Sequence, residues 1–137
     1  MTPKMISIGE SVASYSHGKV VGNLLFTSGA TPHDLFTSGA TPHDLDTGEV
    51  RGSTIEEQAR LSIQTLEKIL TAAGSGLSDL LQVQVFLNDI GADYDGFDAT
   101  YKQMIPGPFP PRATVGAELP GYRIEMIATA YVSGDES

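Results

Sequence analysis

Few side chains in this sequence have both the type and the spacing to do chemistry. The three histidines, His17, His33 and His43, have no cysteine anywhere in the chain and no helical H-x-x-x-H companion. A dedicated zinc site is therefore not expected. The acidic group Asp89, Asp93, Asp95 and Asp98 has the ligand type for calcium. It lacks the D-x-D-x-D-G ladder with a closing Glu, and reads instead as the solvated start of a helix. Arg112 follows directly on Pro110-Pro111, and on residue type alone it is a solvated strand end or half of a surface ion pair. Glu125 either pairs with Arg123 or faces solvent.

The background charge narrows the choice of partner. The 137 residues carry 8 Lys+Arg against 17 Asp+Glu, a formal net charge of -9, with no Cys and no Trp. Such a chain repels phosphate backbones, and no Lys/Arg cluster offsets this locally, so no nucleic-acid partner is expected. No apolar run approaches the ~18 residues of a membrane span, and residues 1–18 show no apolar signal core. A cytoplasmic protein without a membrane partner is the default expectation. The length suits one domain over 1–137, since two cores of half this size would need staples that a cysteine-free chain cannot supply.

Short alternating segments come first among the elements that must position these residues. Lys19 to Val21 and Leu24 to Thr27 flank Gly22-Asn23, which suits a tight hairpin turn. Leu80 to Leu87 is a strongly apolar central strand. Arg123 to Val132 alternates, with Ile124, Met126, Ala128, Ala130 and Val132 on one face and Arg123, Glu125, Ile127, Thr129 and Tyr131 on the other. Arg112 to Ala117 is expected as its hairpin partner across Leu119-Pro120-Gly121. The first helix starts at Ser53 or Thr54, where Ser53 with Glu56 and Thr54 with Glu57 both fit a capping box, and it ends at Gly74. A second spans Asp93 to Ile105, with Tyr94, Phe97, Tyr101 and Met104 on one core-facing side, and stops at Pro106.

One repeat interrupts this order: residues 25–34 and 35–44 both read LFTSGATPHD. A single undiverged copy is unlike a solenoid unit of ~20 residues or more, so 35–44 reads as a duplicated insert in a shorter parent chain. A shift of ten residues keeps every side chain on its original face, so burial cannot choose between copies. The turn can. Gly22-Asn23 leads directly into the first copy, whereas using the second would stretch the hairpin loop to about a dozen residues. Leu25 to Ser28 are therefore expected in the sheet, with Leu35 to Asp44 as an excursion.

Strands, helix, strand, helix, strands make an α+β sheet. Two helices cover only one face. The other, with Ile127, Thr129 and Tyr131, is too apolar to stay wet, so a partner subunit is expected on it.

The N-terminal hairpin ending in TSG, the D-x-x-T-Y of the second helix and the closing FPPRATVGAELPGYRIEMIATAYV resemble the reactive intermediate deaminase (Rid/YjgF) family. The F-P-x-R followed by L-P and I-E is the most specific part. The resemblance implies a chorismate-mutase-like mixed sheet, a homotrimer joined through the open face, and inter-subunit clefts that hydrolyse enamines or imines such as 2-aminoacrylate to a 2-keto acid and ammonia, without a cofactor or metal. Matched residue by residue, Arg112 is the arginine that holds the substrate carboxylate. Glu125 is the acid that handles the attacking water. Tyr15 and Ser28, or its copy Ser38, line the pocket. Thr114 stands where many members have Cys, and Asp98 where many have Asn.

The chemistry implied is internally consistent. A guanidinium grips the carboxylate of a small 2-imino acid with two parallel hydrogen bonds, as Lys cannot. A carboxylate within one hydrogen bond of water then accepts its proton. The alternative function is a non-catalytic trimer that binds a small metabolite in the same pocket. A ribonuclease, the third class, is disfavoured by charge.

Overall fold

The computed structural model describes residues 2–8, 14–32 and 53–133. They form β1 (Lys4–Ile6), β2 (Gly18–Val21), β3 (Leu24–Thr27), α1 (Ile55–Ala72), a 3-10 turn at Leu77–Asp79, β4 (Leu80–Leu87), α2 (Ile90–Met104), β5 (Arg112–Gly116) and β6 (Ile124–Tyr131). The strands make one six-stranded sheet in the order β1-β2-β3-β6-β4-β5. Two helices and a mixed sheet give the expected α+β fold.

The β2–β3 hairpin turns at Gly22, whose φ of 63 lies in the left-handed region that favours glycine. Leu25 then pairs with both Val20 and Ala130, and Ala30 bridges Met126. The first copy of the repeat thus occupies the sheet, as the turn argument requires. Leu35 to Asp44, including Ser38, lie outside the described residues.

Thr54, not Ser53, caps α1. Its side chain accepts from the Glu57 backbone N–H at 3.1 Å, and Glu57 Oε1 accepts in return from the Thr54 N–H at 3.1 Å. The apolar stripe Ile55, Ala59, Ile63, Leu66, Ile69 and Leu70 is buried against the sheet. Each large member contributes roughly 1.5–3 kcal/mol of burial. The helix ends at Gly74, φ 81, with the Ser75 N–H returning to the Leu70 carbonyl at 2.8 Å. Among the described residues no helix is long and apolar enough to cross a membrane.

Three expectations need correction. The strand Arg112–Gly116 is not the hairpin partner of β6: it pairs in parallel with β4, while β6 lies antiparallel on the other side of β4. The intervening α2 supplies the long crossover that a parallel pair requires. Leu119-Pro120-Gly121 is therefore a bridge over the end of β4, pinned by Asn88, whose Oδ1 accepts from the Leu119 N–H at 2.8 Å and whose N–H donates to the Arg123 carbonyl at 2.9 Å.

The second correction concerns α2, which begins at Ile90 rather than Asp93. Asp89 is its cap, accepting from the Ala92 N–H at 3.2 Å. The acidic group is thus not merely solvated: Asp93 is buried and binds Arg123 at 3.1 Å, and Asp98 binds Arg112 at 3.1 Å. The third correction follows. Arg123 precedes β6 and reaches the helix layer instead of sharing a face with Glu125, and the partner of Glu125 is Tyr122.

Alternation along β6 otherwise holds, with Ile124, Met126, Ala128, Ala130 and Val132 all buried. The opposite face exposes Leu24, Phe26, Val115 and Tyr131. Among the described residues β1, unanticipated, is a three-residue edge strand paired only with β2.

Candidate functional site

Arg112 opens β5 next to Val83 of β4. Paired residues point to the same side of a sheet, and Val83 is fully buried beneath the helices. The arginine therefore points into the helix layer. There Tyr94, Phe97 and Tyr101, spaced three and four residues apart on α2, put their rings 5.8, 4.9 and 4.5 Å from the guanidinium carbon. Nη2 donates to the Tyr94 hydroxyl at 2.8 Å and Nη1 meets Asp98 Oδ1 at 3.1 Å. The Arg112 side chain retains 16% exposure. It borders a cleft of about 260 Å³ with Asp98, Tyr101, Lys102, Phe109 and Pro110. Burial is the main cause that raises the Tyr101 phenol, and the Arg112 charge opposes it.

Thr114 follows on the same side of β5. Its Oγ1 is buried and has no hydrogen-bond partner among the described residues.

Glu125 lies elsewhere. It pairs with Phe86 of β4, so it points to the open face. Oε1 accepts from the Tyr122 hydroxyl at 3.0 Å. Oε2 lies over Gly29, where a Cβ would overlap the carboxylate. Gly29 is therefore required by close approach rather than by backbone angle. Burial first, then the Glu125 charge and then Tyr15 push the Tyr122 phenol up to about 12. Tyr15 itself is largely exposed. Ser28, next to Gly29, donates its hydroxyl to the Ser16 carbonyl at 2.5 Å.

Within one chain, then, the candidate residues form two groups on opposite faces of the sheet: Arg112 with Asp98 and Thr114, and Glu125 with Tyr122, Gly29 and Tyr15. Sequence reasoning assigned Tyr94 and Tyr101 to the core only. Their spacing was the available signal, since such a stripe also makes a seat for a cation. Tyr122, in the bridge outside any periodic element, gave none.

Known proteins resemble this chain along nearly its whole length. The family model described as Endoribonuclease L-PSP matches residues 6–132. The mitochondrial protein mmf2 of Schizosaccharomyces pombe is 47% identical over 64 residues, which is 47% of this chain and 50% of that protein. RutC family protein y4sK of Sinorhizobium fredii is 33% identical over 120 residues, 86% of each chain. A 2-iminobutanoate/2-iminopropanoate deaminase of Dermatophagoides farinae is 28% identical over 132 residues, 92% of this chain and 94% of that one. Among solved structures, yeast Mmf1 superposes with a TM-score of 0.81 at 26% identity, covering 96% of this chain and 100% of that one. A member of the YjgF protein family from Neisseria meningitidis gives 0.79 at 25%, covering 98% of each. The chain therefore belongs to the Rid/YjgF (L-PSP) family.

Proposed function

We propose that the protein hydrolyses small 2-imino acids, and the enamines that tautomerise to them, to 2-keto acids and ammonia, at sites completed between copies of the chain. The observation that carries this reading is the arginine: a seated, partly accessible guanidinium beside a cleft with aromatic and proline walls. Two of its N–H groups meet Asp98 and Tyr94. A guanidinium carries five N–H groups, more than these two contacts use, so it can still meet a substrate carboxylate. The deaminase name of a relative similar over most of its length points the same way.

Grip on the carboxylate fixes the imine carbon. Water adds its oxygen to the carbon of the protonated imine while a water proton passes to Glu125 and the C=N π pair moves to nitrogen, giving a neutral carbinolamine. Glu125 returns that proton to nitrogen, the C–N pair leaves with ammonia, and the hydroxyl proton passes back to the Glu125 carboxylate as the carbonyl forms. Since Arg112 and Glu125 point to opposite faces of one sheet, the reading requires that one copy supply the arginine and its neighbour the carboxylate. A homotrimer joined through the exposed Leu24, Phe26 and Tyr131 meets that requirement. The ribonuclease reading carried by the family model's description is disfavoured by the net charge of -9.

The test is coupling to a pyridoxal-dependent serine or threonine dehydratase with keto-acid release as the signal. Accelerated release over the dehydratase alone is expected. Unchanged release would leave the metabolite-binding trimer as the reading.

A further inference from the structure

The bridge from β5 to β6 places one side chain whose purpose the fold alone does not explain. Asn88 clamps the bridge at Leu119 and at Arg123. Arg123 is drawn into the helix layer, with its N–H to Gln58 Oε1 at 2.8 Å and its guanidinium on Asp93. Gly121, at φ 86, makes the bend that precedes it. Held on both sides, Tyr122 swings toward the open face and meets Glu125 three residues on, an approach that a regular strand forbids because such residues point to opposite faces.

We propose that Tyr122 is a positioning residue: its hydroxyl holds Oε1 of Glu125 and leaves Oε2, over Gly29, as the oxygen that takes the proton of the attacking water. This rests on the deaminase reading above. A carboxylate free to rotate offers either oxygen in many orientations, whereas one bound at Oε1 offers Oε2 in a single direction. The phenol, pushed up to about 12, is protonated near neutral pH. There it donates to Glu125 and does not itself take the proton.

The decisive experiment is a double-mutant cycle in the full-length protein. Tyr122→Phe keeps the ring and is expected to lower kcat about tenfold or more with KM changed less than twofold. In a Glu125→Gln background the same substitution should change kcat no further. Wild-type kcat in Tyr122→Phe, or an undiminished effect in the Gln background, would overturn the proposal. A readout independent of activity separates it from the deaminase reading. A crystal structure of Tyr122→Phe should show the Glu125 carboxylate turned away from its place over Gly29, since the bond that fixes Oε1 is gone. An unmoved carboxylate would overturn the positioning role even in an active enzyme. A wild-type protein without imine hydrolysis would sink the deaminase reading, while a displaced carboxylate would still support Tyr122 as the residue that orients Glu125.

Discussion

Asp98 and Arg112 face each other across the α2–β5 junction with Oδ1 3.1 Å from Nη1, so the guanidinium proposed to bind a substrate carboxylate already holds one. Lys102 also approaches Asp98, at 3.4 Å, from a largely exposed position. The resident carboxylate orients the guanidinium and competes for it. Asp98→Asn should keep the orientation through its amide oxygen while removing the competing charge, and lower KM for 2-imino acids by about threefold to fivefold. Steady-state kinetics decide this, and a raised KM would mean that Asp98 aids binding.

Arg112→Ala should abolish hydrolysis, with a loss of roughly 10²-fold or more in rate, and Arg112→Lys should restore little because an ammonium lacks the planar fork. Circular dichroism of both variants should match the parent, the arginine lying at an edge strand. Wild-type turnover in the Ala variant would reject the assigned site.

Gly29→Ala places a methyl where the Glu125 carboxylate lies. A cost of about 1–3 kcal/mol in stability is expected together with loss of activity. The same change in a Glu125→Ala background should cost much less, since the obstructing group is gone. Denaturant melts of the four proteins would show the coupling; purely additive losses would mean that Gly29 matters for other reasons.

His17 gives a pH signature. Its Nδ1 accepts from the Ile8 N–H at 2.9 Å, and burial lowers its pKa from 6.5. The folded state thus prefers the neutral ring. Its contribution is fully present above pH 6.5 and is lost as pH falls from 6.5 through the lower folded value, because the unfolded chain takes up the proton first. Melting temperature should drop over that interval, and His17→Gln should flatten the drop. Parallel curves for the two proteins would exclude His17 as the cause.

Phe26, exposed on the open face beside Thr129, is expected at the centre of the proposed subunit contact. Light scattering should give three times the 14.5 kDa chain mass for the parent, and a lower mass for Phe26→Lys, whose ammonium would be buried at the contact. A parent of monomer mass at micromolar concentration would remove the trimer.

Local signals in the sequence were strong where the structure is local. The Gly22-Asn23 turn, the Thr54/Glu57 box and the apolar run Leu80–Leu87 all read correctly, because each depends on neighbours a few residues away. The pairing of β5 did not. Short spacing between Arg112–Gly116 and Ile124–Tyr131 suggests a hairpin, yet β6 already fills the slot between β3 and β4, and only the whole sheet reveals that. The start of α2 was missed because Gly91 and Ala92 carry no apolar period. Of the site, Arg112 and Glu125 came from family resemblance. Gly29 and Tyr122 depend on a contact across the sheet face and on a loop bend, for which a single sequence holds no periodic signal.

The aromatic seat beneath Arg112 has a consequence for the thermodynamics of binding. Phe97 is fully buried and Tyr101 nearly so, so these two of the rings that hold the guanidinium belong to the packed core rather than to a fraying surface. A free arginine side chain gives up as much as ~2 kcal/mol of rotamer entropy when it is fixed. Here that freedom was surrendered when the chain folded, so a ligand meeting Arg112 gains its hydrogen bonds against a smaller entropic opposition.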